Sequence, residues 1–167
     1  EPPPEHQERL IIRMDPGSAF GTGSHPTTRL CLEALEQKPP YGSLVADLGC
    51  GSGVLGLAAL KLGAVSVLAV DTDSLAVRAT AANLELNQLD ADRLNVALGS
   101  LDILKDLLKG KRADLLLCNI LAPVIEALAP GFVHLLAEDG RALLSGLLVD
   151  QAPGLHKVLT GLGWTIT

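Results

Sequence analysis

From residue 43 onward, short and almost wholly apolar stretches alternate with stretches of helical periodicity. "SLVADLG" reads as a buried strand and "GVLGLAALKLG" as a helix closed by Gly63. "VSVLAVD" is a second strand, followed by a helix "DSLAVRATAANLELN" with Asp73 or Ser74 as its N-cap. "RLNVALG" and "ADLLLCN" are a third and a fourth strand. "LAPVIEAL" begins a helix that the pattern interrupts at Pro130-Gly131 and resumes through "FVHLLAE". "RALLSGLL" is a fifth strand, "QAPGLHKVLTGLG" a helix and "WTIT" the start of a sixth strand. Such alternation leaves few solutions. Right-handed crossovers put helices on both faces of a parallel sheet, and strands covered on both faces are continuously apolar. The expected fold is therefore α/β, with function at the carboxyl ends of the strands near the point where strand order reverses.

Upstream the pattern is less regular. "EPPPEHQER", residues 1–9, is polar with three consecutive prolines and reads as a linker or tail, leaving 10–167 as the folded unit. "LIIRM" reads as a short strand leading into the glycine-rich "DPGSAFGTGSHPTT". From Pro26 onward Leu30, Leu32, Ala34 and Leu35 suit a helix, and Pro26 fits its first position. His25 is an unfavoured cap, which points to Thr27 as the boundary.

Composition removes several function classes. Apolar residues make up 48% and charged residues 19%, a globular composition at a length that fits one domain. No apolar run reaches the span a membrane helix needs and no basic-then-apolar leader opens the sequence, so a soluble, cytoplasmic protein is expected. Cys31, Cys50 and Cys118 lack CxxC spacing and read as reduced thiols; the scattered histidines give no metal-ligand spacing, and no metal is expected. A formal charge of −6 with two Phe, one Tyr and one Trp argues against direct nucleic-acid binding.

The chemistry concentrates after the strands. "DLGCGSGVLG" follows the first, and Gly49, Gly51 and Gly53 let the backbone turn sharply and approach a ligand, with a helix N-terminus behind. Gly51-x-Gly53-x-x-Gly56 also matches the dinucleotide fingerprint. Asp71 ends the second strand, about twenty residues on, where a carboxylate accepts from ribose hydroxyls of either a dinucleotide or S-adenosylmethionine. Asp47 discriminates: its charge opposes a pyrophosphate and suits a sulfonium–ammonium ligand. Ser100, after the third strand, is placed either to bond an adenine edge or to cap the following helix.

Asn119 ends the fourth strand, as a turn former or as a chemical group. Methyl transfer to an amine needs a neutral nitrogen aligned with the departing bond. At pH 7 deprotonation costs about 4.6 kcal/mol for lysine and about 1 kcal/mol for an α-amine. An aspartate here would hold the proton on. An asparagine carbonyl accepts an N–H without that Coulombic penalty, which fits nitrogen methylation.

Together "DPGSAFGTGSHPTT", "VADLGCGSGVLGLAALKLGA", "VLAVDTD" and "CNILAP" resemble the catalytic domain of the bacterial methyltransferases that modify large-subunit ribosomal protein L-eleven (PrmA type). The resemblance runs from about Ile12 to Trp164. It implies a Rossmann-like class I methyltransferase fold, S-adenosylmethionine as donor, and multiple methylation of lysine and N-terminal amines of that ribosomal protein. Thr28, Gly49, Asp71 and Asn119 match the family's cofactor positions, with Asn119 also beside the transferring methyl. Phe20 to Thr28 is then expected to lie over the donor, and His25 is a loop residue and not a base. The family also leads one to expect an N-terminal substrate-recognition domain, so that recognition of the ribosomal protein is weak without it. A hairpin of the sixth and seventh strands is expected too. The 167 residues contain neither that domain nor the seventh strand, which leaves the fifth strand's edge open to self-pairing. Three alternatives stay open: a methyltransferase for another protein or small-molecule nitrogen, a dinucleotide oxidoreductase, and a non-catalytic donor-binding module.

Overall fold

The structure, a computed structural model, describes residues 9–15 and 23–167. Its elements follow the alternation: α1 (Pro26–Gln37), β1 (Leu44–Leu48), α2 (Val54–Lys61), β2 (Ser66–Asp71), α3 (Ser74–Leu86), β3 (Leu94–Leu98), α4 (Leu101–Leu108), β4 (Ala113–Asn119), α5 (Ala122–Phe132), β5 (Leu136–Ser145) and α6 (Ala152–Gly161). The strands form one parallel sheet in the order β3-β2-β1-β4-β5. Strand order reverses between β1 and β4, the switch point above whose carboxyl ends open α/β sheets have their binding crevice.

Two apolar layers hold the helices on. Val45, Val67, Ala69, Leu115 and Leu117 join Cys31, Leu35 and the α2 residues Leu57 and Leu60 on one face. Ala46, Leu48, Val70, Leu116 and Cys118 join Leu104, Ile125, Phe132 and Leu159 on the other. Each large side chain so enclosed contributes about 1.5–3 kcal/mol. Successive strand residues face opposite layers, so Asp47, Asp71 and Asn119 share the face of Val45, Val67 and Leu115, towards α1 and α2.

Several expectations fail for identifiable reasons. The α1 helix starts at Pro26 with His25 as its N-cap, whose Nδ1 accepts the Thr27 N–H at 3.4 Å. Its buried face is Thr28, Cys31 and Leu35, while Leu30 is exposed. Residues 10–14 form no strand; the Arg13 backbone bonds instead to the side chain of Asn87, and Ile12 and Met14 pack on the first layer. The α5 helix runs through Pro130, which is exposed, and ends at Phe132. No helix resumes after it. β5 starts at Leu136 and passes an irregularity between the Ala113↔Leu136 and Leu115↔Arg141 pairs, so Glu138-Asp139-Gly140 hides its first half from an apolar-run reading. Residues 164–167 form no strand, and Trp164 packs on the second layer. Among the described residues, no helix is long and apolar enough to cross a membrane.

Candidate functional site

The glycine turn bridges β1 and α2 and is closed by its own backbone. Gly49 and Cys50 donate their N–H groups to the Val70 carbonyl at 2.9 and 3.1 Å, and Gly53 donates to the Cys50 carbonyl at 2.8 Å. Gly51 donates to Asp71 Oδ2 at 2.9 Å. These four amides are therefore already committed to protein acceptors, unlike the outward-pointing amides of a phosphate nest.

Glycine is required here for two reasons. Gly49 has φ +77°, and a Cβ on it would collide with Cγ2 of Ile120, the residue after Asn119. Gly53 has φ +82°, and its Cβ would lie 2.8 Å from Thr80 Cγ2. Gly49→Ala should lower unfolding stability by about 2–3 kcal/mol in urea, strain and collision together. Gly42→Ala, with φ +73° but nothing within 4 Å, should lose only about 1 kcal/mol.

Asp71 braces this turn from β2. Its Oδ1 accepts the Asp73 N–H at 2.9 Å while Oδ2 holds Gly51, and each carboxylate oxygen keeps a second lone pair for a hydroxyl donor. The Gly99 N–H donates to the Asp71 carbonyl at 2.8 Å, which sets Ser100 beside it. Ser100 occupies the N-cap position of α4, yet its side chain makes no capping bond.

Asp47 behaves differently from the expectation of a charge presented to the ligand. It is 2% exposed, its Oδ2 has no hydrogen-bond partner, and it lies under Gly56 of α2. Burial pushes its carboxyl up to about 7, against the lowering effect of the Gly56 N–H and with a further push from Asp71. At neutral pH a large part of its charge is therefore neutralised by a proton. The committed turn amides, more than this charge, oppose a diphosphate.

Asn119 ends β4 on the other side of the crevice. Its Nδ2 donates to Thr28 Oγ1 at 3.2 Å, and Thr28 is 2% exposed in the first turn of α1. That bond aims the amide and leaves Oδ1 buried and without a partner. An orphaned acceptor of this kind costs about 1–3 kcal/mol unless a ligand satisfies it. Ser145, paired with Asn119 across β4 and β5, donates through Oγ to the Thr27 carbonyl at 3.4 Å and so ties α1 to the same rim.

Thr28, Gly49, Gly51, Asp71, Ser100 and Asn119 thus gather along the carboxyl ends of β3, β2, β1 and β4, with Asp47 beneath. Phe20 lies outside the described residues, as do residues 1–8 of the expected linker. Sequence reasoning missed Ser145, Thr80 and Asn83 of α3, and Asn87 at the C-cap of that helix. The last three are polar side chains spaced three and four apart on one helix face, a pattern that by itself reads equally as a solvated face.

A protein-family model described as ribosomal protein L11 methyltransferase (PrmA) matches residues 1–167. The ribosomal protein L11 methyltransferase of Parasynechococcus marenigrum (strain WH8102) is 75% identical over 167 residues, 100% of this chain and 58% of the relative. That of Prochlorococcus marinus (strain MIT 9303) is 68% identical over 164 residues, 98% of this chain and 54% of the relative. The chain thus spans little more than half the length of these curated relatives. The crystal structure of a ribosomal protein L11 methylase from Lactobacillus delbrueckii subsp. bulgaricus superposes with a TM-score of 0.87 at 35% identity, over 99% of this chain and 82% of that one.

Proposed function

Since this chain belongs to the ribosomal protein L11 methyltransferase (PrmA) family, we propose that it is the catalytic part of an S-adenosylmethionine-dependent protein N-methyltransferase. Its substrates are lysine side chains and the N-terminal amine of ribosomal protein L11, and it works in the cytoplasm. Residues 10–167 are the methyltransferase unit, and the remaining length of the relatives supplies substrate recognition. The observation that carries this reading is the buried, unpartnered Oδ1 of Asn119, held in place by Thr28 at the mouth of a turn closed to phosphate.

The residues present fit the donor. Gly49 and Gly51 give the close backbone approach, and the free lone pairs of Asp71 suit two ribose hydroxyls. Ser100, whose side chain makes no capping bond, is left to hydrogen-bond the adenine edge. S-adenosylmethionine supplies an electrophilic methyl on a sulfonium and a neutral leaving group. Asn119 accepts an N–H of the incoming amine and thereby turns its lone pair toward the crevice. The carbonyl carries no net charge, so it does not hold the ammonium form as a carboxylate would: the amine that reacts is the fraction that has already lost its ammonium proton to water, and the methylated nitrogen sheds its second proton to water after transfer.

Thermal shifts test the donor half. S-adenosylhomocysteine at a hundred times its Kd should add about 2.7 kcal/mol, and NAD at the same concentration should add nothing. The reverse pattern would convert the assignment to a dinucleotide oxidoreductase. The substrate half is read with labelled donor: the whole protein should label L11, and the 167-residue chain should label it weakly. Donor binding with no label transfer by the whole protein would leave a binding module.

A further inference from the structure

The α3 helix turns a polar stripe towards the interior. Thr80, Asn83 and Asn87 are 0, 1 and 6% exposed and follow one another up a single face. At that depth each unpartnered polar group costs about 1–3 kcal/mol, so their partners carry information. Thr80 Oγ1 donates to the Gly51 carbonyl at 3.1 Å. Asn83 Nδ2 donates to the Ser52 carbonyl at 2.9 Å, and Asn83 Oδ1 accepts the Asp15 N–H at 2.9 Å. Asn87 brackets Arg13, accepting its N–H at 2.9 Å and donating to its carbonyl at 2.6 Å, and also donates to the Asn83 carbonyl at 2.8 Å.

The division of labour is uneven. Two successive peptides of the glycine turn, Gly51 and Ser52, send their carbonyls back to α3, where no helix or sheet ladder would satisfy them. Asn87 bonds to Arg13 of the Arg13–Asp15 segment and to its own helix. Asn83 bonds to both the turn and the segment. Its amide is used at both ends, with geometry that fixes the Ser52 peptide plane and so the turn between Gly51 and Gly53.

We propose that Asn83 is a positioning residue for the methyl donor, joining the glycine turn and the Arg13–Asp15 segment into one mechanical unit, while Asn87 holds the segment alone. This rests on the donor reading above, and the experiment separates the two. Calorimetry with S-adenosylhomocysteine and amide hydrogen exchange of the free protein are compared across variants. Asn83→Ala should weaken binding at least tenfold and speed exchange both at residues 51–53 and at Asp15. Asn87→Ala should speed exchange around Arg13 and keep the Kd within threefold of the wild type, although both substitutions bury a similar loss.

Asn83→Asp guards against a variant that does not fold. It keeps shape and the acceptor for Asp15, but an ionised carboxylate has no proton to offer the Ser52 carbonyl. At pH 8 it should keep slow exchange at Asp15, lose it at residues 51–53, and bind the ligand as weakly as the alanine variant. Equal weakening by Asn87→Ala and Asn83→Ala, or unchanged affinity and protection in Asn83→Asp, would overturn the proposal. A wild-type chain that does not bind S-adenosylhomocysteine would remove the donor reading instead, and the exchange pattern alone would then decide the coupling.

Discussion

Asn119→Ala should reduce methyl transfer to L11 by a hundredfold or more in the whole protein, with S-adenosylhomocysteine affinity falling far less. The magnitude is that of removing one aimed polar group from a preorganised site, typically a factor of about 10²–10³. The loss has two parts. The acceptor Oδ1, buried and partnerless before substrate arrives, disappears, and Thr28 Oγ1 loses the donor that reaches it at 3.2 Å. Asn119→Asp separates orientation from charge. The carboxylate keeps an acceptor at the same place but stabilises the ammonium form of the substrate, raising its pKa by about 1–3 units. Its kcat/KM should therefore be low at pH 7 and recover as pH rises, its profile displaced by at least one unit from that of the wild type. A hundredfold loss that is independent of pH in Asn119→Asp would mean that geometry, not protonation, is what asparagine supplies. Activity of Asn119→Ala within fivefold of the wild type would end the assignment of Asn119 to the reaction.

The residues that sequence alone exposed and those it concealed differ in a physical way. Strands β1 to β4 were legible because covering both faces leaves few polar positions inside them, and the turn was legible because left-handed backbone at Gly49, Gly51 and Gly53 demands glycine. Asp71 and Asn119 stood out as polar residues at the ends of apolar runs. The concealed features all involve polar groups satisfied at a distance. Asn83 and Asn87 look like ordinary helix-surface residues until Arg13 and Asp15, about seventy positions away along the chain, supply their partners. Residues 10–14 look like a strand because Leu10, Ile11 and Ile12 form a short apolar run, but the Arg13 backbone pairs with a side chain, which no sequence pattern reveals. The first half of β5 carries Glu138, Asp139 and Gly140 because these residues fall in the irregularity between the Leu136 and Arg141 pairs, out of register with β4. Asp47 also stood out as a polar residue in an apolar run, yet its protonation was beyond the sequence, since that depends on how completely Gly56 and its neighbours shut out water.

That burial makes stability pH-dependent in a direction opposite to most carboxylates. The Asp47 carboxyl is held at about 7 in the folded chain against 3.8 for the unperturbed group, so between those values the native state keeps a proton that the unfolded state has released. More protons bound in the native state means that stability falls as pH rises. The contribution is fully present below about pH 4 and is lost as pH climbs through about 7, a swing on the order of 4 kcal/mol. Asp47→Asn removes the ionisation while keeping the shape. Urea unfolding at pH 4.5, 6 and 8 should then show the variant gaining on the wild type by several kcal/mol across the series. Every other carboxylate titrates in both proteins and cancels in the difference. Asp71→Asn should flatten the slope partly, because Asp71 contributes to the upward push but less than burial does. A difference between Asp47→Asn and wild type that stays constant from pH 4.5 to 8 would mean that Asp47 ionises freely in the folded chain. In that case its negative charge, and not only the closed amides of the turn, would again be available to select a cationic donor over a diphosphate.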